Sequence, residues 1–322
     1  MKIKIDKFVL FIIVVIGVAY LFPHWGSKES QIPLKTISTL GISLIFFFYG
    51  LKLSPDKLKA GLKNWKLHVL VQATTFLIFP LIVLAFHPLI QTQEQEILWL
   101  AFFFLAALPS TVSSSVVMVS IAKGNIPAAI FNASISGIIG IVVTPLWMGL
   151  FVHSAQTDFD FTEIYIKLIV QIILPVVFGI ILQRYLGKLA NEHSSKITLF
   201  DKSVILLIIY RSFSESFDEH IFSSVSLSDL LFFFTAVLFL FFIVFTLTGY
   251  VAKKLNFNKE DQITTQFCGT KKSLVHGTVF SAILFGNMAT IGIILLPLML
   301  FHAIQILIIS IIASKSGRLM VK

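Results

Sequence analysis

The hydrophobic positions of this chain fall into long continuous blocks, separated by short polar connections. Ten blocks can be placed, at about residues 8–22, 34–51, 66–86, 96–122, 126–152, 162–186, 199–219, 227–251, 262–286 and 290–313. An apolar run of about 18 or more residues is long enough to cross a hydrocarbon core of about 30 Å as a helix. Connections such as "PHWGSKESQIP" and "HPLIQTQEQE" carry the Pro, Gly and polar side chains expected at block ends. No stretch reads as a soluble domain. The pattern therefore predicts an all-α membrane protein of ten transmembrane helices, with residues 1–322 forming one transmembrane unit in the lipid bilayer.

Composition strengthens this reading. The chain is 57% hydrophobic and only 13% charged, where soluble domains carry about 25% charged residues. The formal net charge of +9 does not indicate a nucleic-acid partner here, because Lys and Arg concentrate in cytoplasmic loops of membrane proteins. If the ten segments alternate sides, 19 of the 25 Lys and Arg share one side. They are Lys2, Lys4 and Lys7, then Lys52, Lys57, Lys59, Lys63 and Lys66, then Lys123, then Arg184, Lys188, Lys196 and Lys202, then Lys253, Lys254 and Lys259, and finally Lys315, Arg318 and Lys322. Lys28, Lys35, Lys167 and Arg211 fall on the other side. The asymmetry places both termini in the cytoplasm. The start "MKIKIDKFVLFIIVVIGVAY" lacks a convincing small-residue cleavage site and reads as a retained first helix. The single cysteine, Cys268, excludes an intramolecular disulfide and a multi-cysteine metal site.

Ten helices divide into two halves of five. An odd number per half forces the halves into opposite orientations, the inverted-repeat plan of many secondary transporters. The fourth segment of each half is then equivalent, and these are the two least regular segments. Segment 4 reads "EILWLAFFFLAALPSTVSSSVVMVSIAKGN". Pro109 removes a backbone donor and clashes with the preceding turn; Ser110, Thr111, Ser113, Ser114 and Ser115 follow. About a dozen residues remain before Lys123, too few to span the bilayer at 1.5 Å each. Two half-helices fit this stretch; so does a Pro-kinked helix whose serines bond back to their own carbonyls.

Segment 9 contains "FCGTKKSLVHG". If Lys271 and Lys272 lay in a loop, about 12 residues, or about 18 Å of helix, would have to cross the membrane. If the segment begins near Gln262, both lysines fall inside it, and Gly269 offers a break. Intramembrane lysines are costly and face a cavity, a partner or a substrate; the alternative is that Lys272 snorkels to the interface. Freed carbonyls and half-helix N-termini at such breaks bind cations and anions respectively. One central binding site built from Pro109, Thr111, Ser113, Ser114, Ser115, Gly269, Thr270, Lys271, Lys272 and Ser273 is therefore expected.

Other polar residues are ambiguous. Arg211 and Glu215, spaced i, i+4 in segment 7, can pair and line a cavity, or belong to a helix whose outer end is wet. His276 and His302 can titrate or serve as hydrogen-bonded packing residues. Asn132, Ser134 and Ser136 are placed facing the segment 4 break, as cavity residues or interhelical hydrogen bonds.

The stretches "LPSTVSSSVVMVSIAKGN", "FNASISGIIGIVVTPLW", "FFYGLKLSP", "FCGTKKSL" and "LLPLMLFHAIQ" together resemble the bile acid:sodium symporter family, in its divergent symporter-like branch of bacterial members and an orphan animal carrier. The resemblance spans essentially the whole chain. It implies ten helices, with a panel domain from segments 1, 2, 6 and 7 (residues 1–65 and 153–219). The core comprises segments 3–5 and 8–10 (residues 66–152 and 227–313), in which segments 4 and 9 break and cross. The bacterial members imply an inner, or cell, membrane.

In the sodium-coupled members the cations sit at that crossing. Their Ser-Asn pair after the proline corresponds here to Ser114 and Ser115, the sodium ligands if such a site exists, and a Gln of segment 3 corresponds to Thr75. Their Glu-x-x-x-Gln-Asn of segment 9 corresponds to Phe267 and the Lys271–Lys272 pair, so the ligating carboxylate is missing. Two ammonium groups would repel a sodium ion. The resemblance thus implies that Lys271 or Lys272 replaces at least one sodium charge; the same lysine could bind an anionic substrate or shuttle protons.

The expected function is secondary active transport of a small organic solute, an anion or sterol-like amphipath, by alternating access. A non-transporting regulatory or scaffold protein on the same fold is the alternative. A channel lacks a pore-type repeat. An intramembrane enzyme lacks paired Asp and a His-Glu-x-x-His helix.

Overall fold

A computed structural model describes residues 7–28, 30–53, 64–111, 113–155, 166–220, 227–286 and 288–319. The basic residues Lys2, Lys4, Lys57, Lys59, Lys63 and Lys322 lie outside them. The described residues are helical, with no strand among them. The helices are α1 (Lys7–Leu21), α2 (Leu34–Lys52), α3 (Trp65–Ala73, a π turn Thr74–Ile78, then Phe79–Leu84), α4 (Gln93–Ala107), α5 (Ser113–Ile121) and α6 (Ile126–Ala155). They continue with α7 (a π turn Ile169–Ile173, then Leu174–Glu192), α8 (Ser194–Asp218), α9 (Leu227–Lys254), α10 (Lys259–Thr270), α11 (Leu274–Leu284) and α12 (Ile291–Leu319).

Six of these stretches are long and apolar enough to cross a membrane: Leu34–Lys52, Trp65–Leu89, Ile126–Phe151, Ile166–Glu192, Ser228–Lys254 and Ile291–Gly317. The other four predicted segments fall short for separate physical reasons. The first has an apolar helix of fewer than 18 residues, Phe8–Leu21. The fourth and ninth are each cut into two short helices. The seventh is a 25-residue helix whose last eight residues, "RSFSESFD", are polar. Leu, Ile, Val and Phe cover the outward faces of α1, α7 and α9, as expected where the solvent is lipid.

The π turn in α3 follows from Pro80. In that turn Phe79 N bonds the carbonyl of Thr74, five residues back. Continued to the next residue, the register would pair position 80 with Thr75, and proline has no N–H to give. The Thr75 carbonyl is left free for another donor. Pro175 stands in the same relation to the π turn Ile169–Ile173 of α7.

Packing separates the helices into two sets. Helices α1, α2, α7 and α8 pack on one another; α3–α6 and α9–α12 pack on one another; and α8 touches α11 and α12. Within the first set, Gly50 and Gly179 let the backbones of α2 and α7 meet, since a Cβ on Gly179 would lie 2.9 Å from the Gly50 Cα. In the absence of a hydrophobic driving force between helices, such small-residue crossings give close van der Waals packing.

The polar helix ends form two separate groups. At one, the Asp261 carboxylate accepts from the Asn64 and Asn125 side chains, each at 2.7 Å. These three residues cap or start α3, α6 and α10. At the other, Lys28 pairs with Glu215 at 2.6 Å, His24 with Asp218 at 3.0 Å, and Ser216 Oγ donates to the Ala289 carbonyl at 2.5 Å.

Candidate functional site

The two helix interruptions meet. The first runs from Leu108 through Thr111, between α4 and α5; the second is Lys271–Ser273, between α10 and α11. Breaking a helix inside a membrane releases backbone N–H and C=O groups that must find partners within the protein. Here each break supplies them for the other. Ser273 N donates to the Pro109 carbonyl at 2.9 Å. Ser110 Oγ donates to the Cys268 carbonyl at 2.6 Å. Ser110 N bonds Ser136 Oγ of α6 at 2.9 Å, and Thr144 Oγ1 covers the Ala107 carbonyl at 2.7 Å. Ser273 caps α11, accepting from His276 N at 3.3 Å.

Both lysines are fully buried, at 0% exposure. The Lys272 side chain points at the C-terminal end of α4. Its Nζ donates to the carbonyls of Thr75 (2.8 Å), Ala106 (2.5 Å) and Leu108 (2.8 Å), and lies 4.2 Å from the centre of the Phe79 ring. Three acceptors match the three N–H donors of an ammonium group. The C-terminal end of a helix carries partial negative charge, and the ring face adds a cation–π attraction. Gln305 of α12 holds the Lys272 backbone, accepting from its N–H and donating to its carbonyl, both at 2.8 Å.

Lys271 points the other way, to the start of α5. Its Nζ donates to Ser114 Oγ at 3.2 Å. Ser114 and Ser115 both bond Thr111 Oγ1, at 2.9 and 2.8 Å. Among the described residues neither lysine has a carboxylate within ion-pair distance.

The snorkelling alternative for Lys272 is excluded by this burial, and the kinked-helix alternative for segment 4 by the non-helical Leu108–Thr111. Several expected placements change. The chain remains helical through Gly269 and breaks two residues later; Gly269 instead gives close packing, a Cβ there standing 3.3 Å from the Thr74 Cβ. Thr75 contributes its main-chain carbonyl, while its hydroxyl bonds Val71 O at 2.9 Å. Of the three α6 residues, only Ser136 bonds the break. Asn132 bonds His68 Nδ1 at 2.9 Å and accepts from Gln72 at 3.0 Å. Ser134 Oγ bonds Ile130 O at 2.9 Å, and its carbonyl accepts from the Tyr49 hydroxyl of α2. Ser113 opens α5, and its side chain lies outside the described residues. Thr270 is the last residue of α10, with a buried hydroxyl that has no partner among the described residues.

Arg211 and Glu215 lie close enough to interact electrostatically but form no salt bridge with each other. The Glu215 carboxylate accepts from both the Lys28 ammonium and, at 2.9 Å, the Lys28 backbone N–H; Arg211 donates to Ser38 Oγ of α2 at 2.9 Å. Both therefore stand apart from the lysines. His276 bonds Ser273 Oγ at 2.9 Å and packs against Phe46, Tyr49 and Phe280. His302 bonds Gln305 Nε2 at 3.1 Å. A groove of about 640 Å3 lies away from the breaks, between α3, α4 and α9, and is lined by apolar residues including Phe86, Trp99, Phe102 and Phe239.

Gln305 was not singled out from the sequence. Its signal is there: it is the one amide in "LLPLMLFHAIQILIISII". The carbonyls of Ala106 and Leu108 leave no side-chain signature at all.

Comparison with known proteins finds related sequences over nearly the whole chain. The model of the SBF-like CPA transporter family matches residues 6–318. The Escherichia coli protein named "Putative symporter YfeH" is 35% identical over 317 residues, covering 98% of this chain and 93% of YfeH. An uncharacterized Pseudomonas aeruginosa protein is also 35% identical, over 97% of this chain and 93% of its own length. Sodium/bile acid cotransporter 7 of Xenopus tropicalis is 32% identical over 97% of this chain and 91% of its own.

Proposed function

Because the chain belongs to the SBF-like CPA transporter family, and is an integral multi-pass membrane transporter rather than an enzyme, we propose that it carries a small organic anion or anionic amphipath by alternating access. In this reading the ten segments form two inverted five-helix repeats. Segments 1, 2, 6 and 7 are a panel and the rest a core, with both termini in the cytoplasm and the protein in a bacterial inner membrane. The separation of the helices into two packing sets, joined mainly through α8, supports the panel and core. The names of YfeH and of the cotransporter 7 proteins support a carried solute, and the latter favour a sterol-like anion.

The observation that carries this reading is Lys271. Among the described residues this buried ammonium has one hydroxyl partner, at 3.2 Å, which leaves it donors to spare, and it stands where α5 begins. Helix N-termini present unpaired N–H groups and partial positive charge. A carboxylate or sulfonate entering between the panel and the core would find both. The side that binds it is set by how the panel moves past Tyr49, Ser134 and His276, where α2 touches α6 and α11.

Counterflow in proteoliposomes tests this. Liposomes preloaded with an unlabelled bile acid should accumulate the labelled one. Lys271→Met should lower the initial rate by tenfold or more, and Lys271→Arg should retain part of it. Folded wild-type protein that exchanges no member of a panel of bile acids and simpler organic anions would leave the scaffold reading in its place. Equal rates for wild type and Lys271→Met would remove Lys271 from the substrate site.

A further inference from the structure

We propose that Thr75, Ala106 and Leu108, with the face of Phe79, form a monovalent-cation site whose occupant is the covalently attached ammonium of Lys272. The site has the features such a site needs. Three main-chain oxygens converge on one point at 2.5–2.8 Å, as carbonyls do where they replace an ion's hydration shell. Two of them lie at the α4 C-terminal end, where Pro109 donates no N–H and the helix stops. The third is the Thr75 carbonyl, released because the π turn shifts the register onto Pro80. The Phe79 ring closes a further side. The oxygens are freed by two local irregularities, the end of α4 and the π turn of α3, and both point at the same atom.

The oxygens also favour the charged form of the lysine. A neutral amine has two N–H groups and an ammonium three; three acceptors within 2.8 Å specify the ammonium. No acidic side chain among the described residues shares the site, so the compensation for burying the charge comes from the carbonyls, the helix end and the ring. Removing that charge leaves three oxygens facing one another without a cation. The Ser114 and Ser115 hydroxyls, the other candidate sodium ligands, are bonded to Thr111, and Ser114 additionally to Lys271.

Two consequences follow for sodium. At this site the protein has a fixed positive charge where a free ion would have to bind and dissociate, so no ion from solution fills it. Shortening the side chain should then uncover a site for a free monovalent cation. This inference rests on the geometry at Lys272 alone and stands or falls independently of the transport reading.

The test is thermal unfolding of the purified full-length protein, followed by tryptophan fluorescence, in choline, sodium, potassium, ammonium or methylammonium chloride at equal ionic strength. The wild type should show the same Tm in all five salts. Lys272→Ala should melt lower than wild type in choline, and its Tm should rise and saturate with ammonium, potassium or sodium, as linkage to a bound ligand requires. Lys272→Met fills the volume without the charge; it should melt below wild type and respond to none of the salts. If Lys272→Ala does not survive purification in choline, recovery of monodisperse protein when solubilised in ammonium chloride is the equivalent readout. The proposal is overturned if no cation raises the stability or recovery of Lys272→Ala above choline, or if Lys272→Met is as stable as wild type. A saturable Tm increase of wild type with sodium that persists in Lys271→Met would also overturn it.

Discussion

Gln305 shows how much of this site depends on groups that carry no charge. Its side-chain amide bonds both the N–H and the C=O of Lys272, doing for one residue what a neighbouring strand does in a sheet. Replacement by Leu keeps the bulk and orphans both backbone groups. A buried group left unsatisfied costs about 1–3 kcal/mol, so Gln305→Leu should be destabilised by several kcal/mol in an SDS-unfolding titration. Gln305→Glu, which keeps only the acceptor, should fall between the two. A loss within about 0.5 kcal/mol, the range of an indifferent substitution, would show that the Lys272 backbone finds other partners. The lysines themselves were legible in the sequence, because a charge inside an apolar run has few physical explanations. Their partners were not, because most are main-chain carbonyls that any residue type supplies. Arg211 and Glu215 illustrate the converse. Their i, i+4 spacing permitted a pair, but Lys28 and Ser38, distant in sequence, offered each a better partner.

Among the helices, the break after α4 could be read from Pro109, and the break after α10 could be located to within two residues. The displacement from Gly269 has a simple cause. Glycine tolerates unusual backbone angles but does not require them, and no glycine among the described residues has positive φ. What ends α10 is the set of partners that capture the freed groups at Lys272 and Ser273. The π turns were invisible to periodicity because each shifts a single turn. The α4 break also needs a matching space in α6. A Cβ on Gly140 would lie 2.7 Å from the Cβ and Cγ of Pro109, so Gly140→Val forces the break away from α6. Overpacking of this kind costs about 1–3 kcal/mol. Gly140→Val should therefore lower both thermal stability and counterflow, whereas Gly17→Val in α1, where a Cβ meets nothing within 4 Å, should change neither. Equal stability of the two variants would mean that α4 and α6 separate freely at this point.

For the molecule as a whole, the sequence predicts that connections alternate sides, since each membrane crossing reverses the chain. The contacts between ends agree with it in detail that sequence could not give. Asn64, Asn125 and Asp261 come from the second, fourth and eighth connections and are hydrogen-bonded together. Lys28 of the first connection pairs with Glu215, and Ala289 of the ninth accepts from Ser216; Glu215 and Ser216 stand in the last turn of α8, where the seventh connection begins. Even-numbered connections thus meet one another, and odd-numbered ones do the same. Which group faces the cytoplasm rests on the Lys and Arg bias, and the lone Cys268 makes that testable. Its side chain is buried, at 1% exposure, so the wild type should resist a membrane-impermeant maleimide and serve as the background. Leu89, 68% exposed in the third connection, should become reactive in intact spheroplasts as Leu89→Cys. Lys253, exposed at the end of α9, should react as Lys253→Cys only after permeabilisation. The reverse pattern would invert the protein in its membrane, and would place the Asp261 cluster on the outer side. Labelling of both variants in intact spheroplasts would contradict the alternation itself, because the third and eighth connections would then share a face.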